Sequence, residues 1–219
     1  MHDMIIFGCT EQAEIANYYF SKAGYKINYH CVDDEYASSD QFCGVPVIAS
    51  SEASNKRLWE TNKLHVAIGF SNLNRVRQAI FERMKRQGYS FLSYVSDRAC
   101  VYSKHIGENC FILENNVIQP FVRIGDNAVL WSGNHIGHHT SIEDHVFISS
   151  HVVVSGCCKI GGNSFLGVNA TISDQVTIGR DNIIGAGCLI KKDTKDAQVF
   201  SVPATPPRQI SSDRFLKKI

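Results

Sequence analysis

This 219-residue chain has no excess of charge of either sign, no paired-cysteine motif and no long apolar run. Its 22 Lys plus Arg stand against 21 Asp plus Glu, a net charge of +1. So even a balance provides no field for gathering a polyanion, which argues against nucleic acid and acidic membrane surfaces as partners. None of the eight cysteines forms a C-x-x-C pair, and the opening MHDMIIFG lacks the basic region, apolar core and cleavage site of an export signal. No segment has the apolar length of a membrane helix. The expectation is a cytoplasmic protein with reduced thiols that recognises a small ligand locally. Neither a P-loop nor a G-x-G-x-x-G occurs, which argues against NAD.

What is present divides into two halves with different periods. In residues 1–95 the apolar run Met4–Phe7 ends at Gly8, and Ile15, Ala16, Tyr19 and Phe20 follow at helical spacing up to Gly24. A second strand, Ile27–Val32, ends at Asp33-Asp34; a third, His65–Ile68, stops at Gly69, and Leu73, Val76, Ile80 and Met84 then step along one helix face. This pattern predicts a small Rossmann-like α/β domain on a parallel sheet. Gly8 allows close backbone approach after the first strand, and Asp33 or Asp34 stands where a ribose or base edge is read.

From residue 96 the rule changes. In steps of six from Ile106 to Ile190, every position is Ile, Leu or Val, and four residues after each stands a small or medium side chain such as Cys110, Thr140 or Ala170. Glycine often follows the aliphatic position, as at Gly107, Gly125 and Gly137, and is expected where the chain bends tightly. Such a period is that of a parallel β-helix in which three hexads make one triangular coil. An ordinary sandwich predicts period two instead. The division is therefore 1–95, 96–195 for the β-helix, and a tail over 196–219.

A prism filled with aliphatic side chains leaves chemistry to its outer corners. Five of the nine histidines fall between His135 and His151, and His138 and His139 follow Ile136 by two and three residues, facing outward. Histidines on successive coils would stack at separations of 18 or 36, and no pair has either. No metal is expected.

The stretches IIFGCTEQAE, CVDDE, AIGFSN, NHIGHHTSIEDHVFISSHVVVSG, FLGVNATIS, IIGAGCLIKKD and SVPA resemble the bacterial nucleotide-amino-sugar acetyltransferases related to sialic acid O-acetyltransferase. That resemblance spans Gly8 to Pro203 and implies a left-handed β-helix, a homotrimer with sites between subunits, and acetyl-CoA as co-substrate. The pattern N-H-I-G-H-H with S-H-V-V-V-S-G is most like enzymes acting on dTDP-4-amino-4,6-dideoxyglucose for surface glycan (O-antigen) synthesis. The implied general base is His138, with His139 in the position where the family usually carries Asp or Glu; Glu143 is an alternative partner for the base. Gly8, Cys9, Thr10, Gln12, Asp33, Asp34, Gly69 and Asn134 are implied to meet the nucleotide-linked amino sugar. Phe147, which replaces a family histidine, with Gly156, Val168, Asn169, Ala186, Lys191 and Lys192, is implied to line the CoA groove. Sialic-acid-type sugar O-acetylation and a non-catalytic trimeric scaffold are the competing readings.

Overall fold

The computed structural model describes residues 3–212 and Arg214, so residue 213 and residues 215–219 of the expected tail lie outside it. Strand β1 (Asp3–Phe7) leads into α1 (Glu11–Lys22), β2 (Lys26–Val32), a β3–β4 hairpin (Gln41–Phe42 and Val45–Ala49), α2 (Ser50–Asn55), β5 (Lys63–Val66) and α3 (Arg75–Arg86). The sheet order is β3-β4-β2-β1-β5, parallel except for the hairpin. Central β1 is covered on both sides, which is why Met4, Ile5 and Ile6 form an unbroken, fully buried apolar run. The hairpin carries no alternation readable in sequence. Its turn is set by Cys43 and Gly44, both at positive φ. β5 starts and ends two residues earlier than the alternation suggests, and the N–H and C=O of Val66 are both held by the side chain of Asn109.

From Tyr94 onward the chain winds as a parallel β-helix of two-residue strands, paired at eighteen residues through its regular part, as Ile118↔Ile136 and Ile136↔Val154, and at sixteen or seventeen in the end coils, as Tyr94↔Phe111 and Ile183↔Val199. The repeating aliphatic positions form one buried core. Its three faces differ in what the outward residue of each strand is. On the covered face (Tyr94–Val95 to Val199–Phe200) these are Tyr94, Phe111, Val129, Phe147 and Phe165, packed beneath the α/β part with Phe20 and Tyr19. The polar face presents His105, Arg123, Ser141, Lys159 and Thr177. The open face presents Cys100, Val117, His135, Val153, Thr171 and Leu189, with Val153 40 % and Leu189 54 % exposed.

The tight bend is not where glycine was expected. From Asn109 to Gly187, the third residue after every inward aliphatic has φ between +54° and +81°, and Gly107, Gly125 and Gly137 are not among them. Those glycines serve close approach instead: a Cβ on Gly137 would lie 2.5 Å from the Gly156 nitrogen of the next coil. The bend position takes Asn, Asp, His or Gly in most hexads, the residues that tolerate the left-handed region. His139, His145 and His151 occupy three successive bends, which accounts for much of the histidine crowding without any chemistry.

Arg77 of α3 joins the two halves. It is fully buried, and its guanidinium donates to the carbonyls of Gly69 (3.0 Å), His145 (2.9 Å) and Asn127 (3.3 Å) and to Asn74 Oδ1 (3.1 Å). Asn74 in turn donates to Asn163 O at 2.8 Å. Beside them the bend residues of successive coils form a buried ladder, Asn109 to Asn127 (2.8 Å) to His145 Nδ1 (2.9 Å). Among the described residues no helix is long and apolar enough to cross a membrane.

Candidate active site

His138 and His139 lie on the corner between the open and polar faces, the one corner that does not border the covered face. Both are exposed. The His138 N–H is held by Gln119 Oε1 (2.8 Å) and its C=O by the Cys157 N–H (2.8 Å), so the backbone that carries the ring is fixed to the coils before and after it. Its Nδ1 faces His139 Nδ1 at 3.1 Å, while the His139 ring lies on Phe121 with centroids 4.6 Å apart. The other edge of His138 passes over Gly156, where a Cβ would lie 2.7 Å from Cε1 and 2.9 Å from Nε2. The ring position therefore requires glycine there. With Nδ1 engaged by His139, Nε2 is the nitrogen available to a substrate.

The remaining histidines of the cluster have other roles. His145 is buried; its Nδ1 accepts from Asn127, and burial first, with Arg77 nearby, lowers its pKa despite Asp144 and Glu82. His151 lies over Gly133 of the previous coil. His135 is half-buried on the open face between Val117 and Val153. Cysteine supplies a stacked ligand that the histidines alone do not: Cys157 stands eighteen residues after His139, and His138, His139 and Cys157 bring ligand atoms within 4.8 Å of one another.

In the α/β part a cavity of about 410 Å³ opens at the carboxyl ends of β1, β2 and β5. This is the switch point of the sheet, because β2 and β5 flank β1 on opposite sides. Gly8, Cys9, Thr10 and Asp33 line it with Tyr36 and Phe42. Gly8 has φ +131°, and a Cβ there would meet Ala67 O at 2.9 Å, so no other residue fits. Asp33 pairs with Arg83. Burial, then Cys43, pushes the Cys9 thiol up to about 11, which keeps it neutral.

Several expected residues are committed elsewhere. Asp34 accepts from the Ser51 N–H (3.0 Å) and caps α2 outside the cavity. Gln12 and Gly69 also lie outside the cavity lining, and the Gly69 carbonyl is taken by Arg77. Asn134, expected at the substrate, is buried; its amide bonds the Trp131 carbonyl and the Val152 N–H (2.7 Å), because an inward polar side chain must satisfy the coil backbone. Phe147, expected in the CoA groove, is 4 % exposed, stacked on Phe165 at 5.6 Å under the α/β part. Glu143 is no partner for His138, since Lys159 (3.0 Å), Arg180 (2.9 Å) and the Gly162 N–H (3.0 Å) hold it on the next corner.

The other CoA candidates divide between two corners. Gly156, Lys191 and Lys192 stand on the His138 corner, whereas Val168, Asn169 and Ala186 stand on the corner between the open and covered faces. The open face separates the two sets within one chain. Sequence reasoning missed Arg77, because a charged residue on an amphipathic helix reads as solvated. It also missed Cys157, although the 18-residue spacing to His139 was there to be found.

Residues 103–138, 124–156 and 157–192 match the family described as bacterial transferase hexapeptide (six repeats). No curated protein is similar enough in sequence to count as a relative. Among solved structures, a His→Asn variant of perosamine N-acetyltransferase from Caulobacter crescentus, in complex with CoA and GDP-perosamine, superposes with a TM-score of 0.81 at 24 % identity, covering 91 % of this chain and 93 % of that one. PerB from the same organism, with the same ligands, gives 0.79 at 25 % identity and the same coverage. The acetyltransferase domain of PglB from Neisseria gonorrhoeae gives 0.80 at 23 % identity, with 91 % and 96 % covered. Residues 103–192 thus resemble the hexapeptide repeats of that family, and the chain shares the fold of these solved structures, an α/β part on a left-handed β-helix.

Proposed function

We propose that this protein is an acetyl-CoA-dependent N-acetyltransferase acting on the amino group of a nucleotide-linked sugar, with His138 as general base. The observation that carries this reading is the exposed His138 ring, oriented at Nδ1 by His139 and laid over a required glycine. The fold shared with N-acetyltransferases, one of them holding CoA and GDP-perosamine, supports the substrate class.

The chemistry follows from the protonation states. A sugar ammonium has no lone pair, so a proton must leave before nitrogen attacks the thioester carbonyl. Nε2 of His138 accepts it while the Nδ1–H donates to His139 Nδ1, which holds the ring in one tautomer. The tetrahedral intermediate then expels the CoA thiolate, which takes that proton from His138, and the second proton of the former ammonium leaves the nitrogen to solvent as the amide forms. No acyl-enzyme is needed. The Gly156 N–H makes no hydrogen bond among the described residues, although the corresponding His138 N–H is held by Gln119; it is our candidate donor for the developing oxyanion.

The site is completed by a second copy. The α/β cavity stands over the covered face, and His138 is on the opposite corner of the same prism. A sugar held in the cavity therefore meets the His138 of a neighbour, and the CoA candidates on the two corners flanking the open face come together in the same cleft. Val153 and Leu189 give that open face the apolar contact a homotrimer needs. Nucleotide recognition resides in the cavity, where Tyr36 and Phe42 offer rings to a base and Asp33, whose Oδ1 is paired with Arg83, offers its other carboxylate oxygen. The first substrate we name is dTDP-4-amino-4,6-dideoxyglucose, on the motif resemblance.

A panel of dTDP-, UDP- and GDP-linked amino sugars, with free sialic acid as the O-acetylation control, assayed by CoA release, tests the reading. Turnover on one nucleotide-linked amine and none on sialic acid is expected. Acetyl-CoA binding with no turnover on any amine would overturn it in favour of a scaffold.

A further inference from the structure

Cys157 has no part in the mechanism above, yet it is built into the same corner. Phe121, His139, Cys157 and Gln175 occupy the same bend position of four successive coils, with φ of +67°, +59°, +56° and +61°. One coil rise separates neighbours in that column, so the Cys157 side chain stands beside the two imidazoles. The Cys157 sulfur is 3.9 Å from His138 Nδ1, and His138 Nδ1 is 3.1 Å from His139 Nδ1.

These distances are close to the edges of a tetrahedral site. With Zn–N of about 2.0–2.1 Å and Zn–S of about 2.3 Å, tetrahedral N···N and N···S edges are about 3.3 and 3.6 Å. Displacements of a few tenths of an ångström bring both pairs to those values, and the third pair, His139 with Cys157, lies within 4.8 Å. Two imidazoles and one thiol suit zinc, and three ligands on an exposed corner leave the fourth position open. The corner is also preorganised, since the Cys157 N–H to His138 C=O bond and the Phe121 ring hold the three residues together.

We infer that His138, His139 and Cys157 form a binding site for Zn2+ and that its occupation switches acetyl transfer off. The first part stands on geometry alone; the second rests on His138 being the base. The Nδ1–H between the two imidazoles is displaced when both nitrogens turn their lone pairs to the metal. Each ring then carries its hydrogen at Nε2, and the thiol releases its proton as it coordinates. An imidazole protonated at Nε2 has no lone pair for the substrate ammonium, so the zinc-loaded corner is inactive although no ligand of the substrate has been removed.

The test uses the full-length protein stripped of metal, titrated with CoCl2 and followed by absorption, and in parallel assayed for CoA release with ZnCl2. The expected result is a thiolate-to-cobalt charge-transfer band with visible bands of a tetrahedral ion, saturating at one per chain and displaced by ZnCl2. Cys157→Ser, and Cys157→Asn with the residue most common at these bends, lose the charge-transfer band, keep the metal-free turnover, and need at least tenfold more ZnCl2 for half inhibition. Absence of a thiolate band in the wild type, or equal band strength in both variants, overturns the site. A normal band together with unchanged turnover in saturating ZnCl2 overturns the switch while the site stands. His138→Ala keeps that outcome distinct from the proposed function, because undiminished turnover in that variant overturns the base assignment itself.

Discussion

The Nδ1 atoms of His138 and His139 face each other at 3.1 Å, so one ring donates and the other accepts. For His138 to work through Nε2 it must be the donor. His138→Ala is expected to retain assembly and CoA affinity, because the ring projects from the prism, and to lower kcat by about 10²–10⁴ as for loss of a general base. Turnover measured from pH 6 to 9 decides this; a near-normal rate throughout would remove His138 from the mechanism.

On the proposed mechanism His139 positions the base, and an imidazole partner stabilises the imidazolium of His138 less than a carboxylate does. His139→Asp, which also tolerates the bend, is expected to raise the plateau kcat and move the acidic limb of the profile to higher pH. His139→Ala is expected to lower kcat about tenfold, less than loss of the base itself, with the acidic limb moving the other way. Identical limbs in all three proteins would reduce His139 to a bend residue.

Arg77 satisfies carbonyls from both halves of the chain and has no carboxylate partner among the described residues. Its removal leaves those acceptors dry, so Arg77→Ala is expected to cost at least about 1–3 kcal/mol of stability. Arg77→Lys is expected to recover little, since one ammonium lacks the fork that spans Gly69, Asn127 and His145. Urea unfolding checks both, and a loss under 1 kcal/mol would mean that aromatic packing alone joins the halves.

His65 is fully buried, with Nδ1 bonded to Leu92 O at 3.0 Å, and burial pushes its pKa down to about 4. An unfolded chain takes up that proton near pH 6.5, so the unfolded state binds more protons between pH 6.5 and 4. Stability from this group is fully present above pH 6.5 and is lost as pH falls, by up to about 3 kcal/mol. His30 and His145, also lowered first by burial, act in the same direction. The Tm is expected to fall on acidification below pH 6.5, and the fall to be shallower in His65→Gln. An unchanged slope in that variant would assign the acid sensitivity to other groups.

Gly137→Ala tests the corrected role of the hexad glycines. Its Cβ would lie 2.5 Å from Gly156 N, so the coils must separate, at a cost of about 1–3 kcal/mol. Gly69→Ala, with nothing within 4 Å of the new carbon, is the control expected to unfold like the wild type. Equal stability of the two variants would contradict the close-approach explanation.

The order of residues alone dictates the β-helix and its phase, because a buried aliphatic every sixth residue leaves only one way to keep Ile106 through Ile190 in a common core. It also located the open strand ends at Gly8 and Asp33, and the outward corner at His138. It did not determine which polar residues remain free for chemistry. Asn134, Asp34 and Glu143 look available in a linear reading, but inward facing, helix capping and ion pairing commit them, and those partners come from distant coils or elements. Arg77 and Phe147 likewise change meaning only when α3 is laid on the covered face. The pairing of His139 with Cys157, and the division of the CoA candidates between two corners, arise from the eighteen-residue coil and the triangular cross-section. Such relations are set by three-dimensional adjacency, which the tertiary structure decides through side-chain packing between turns that the chain order keeps apart.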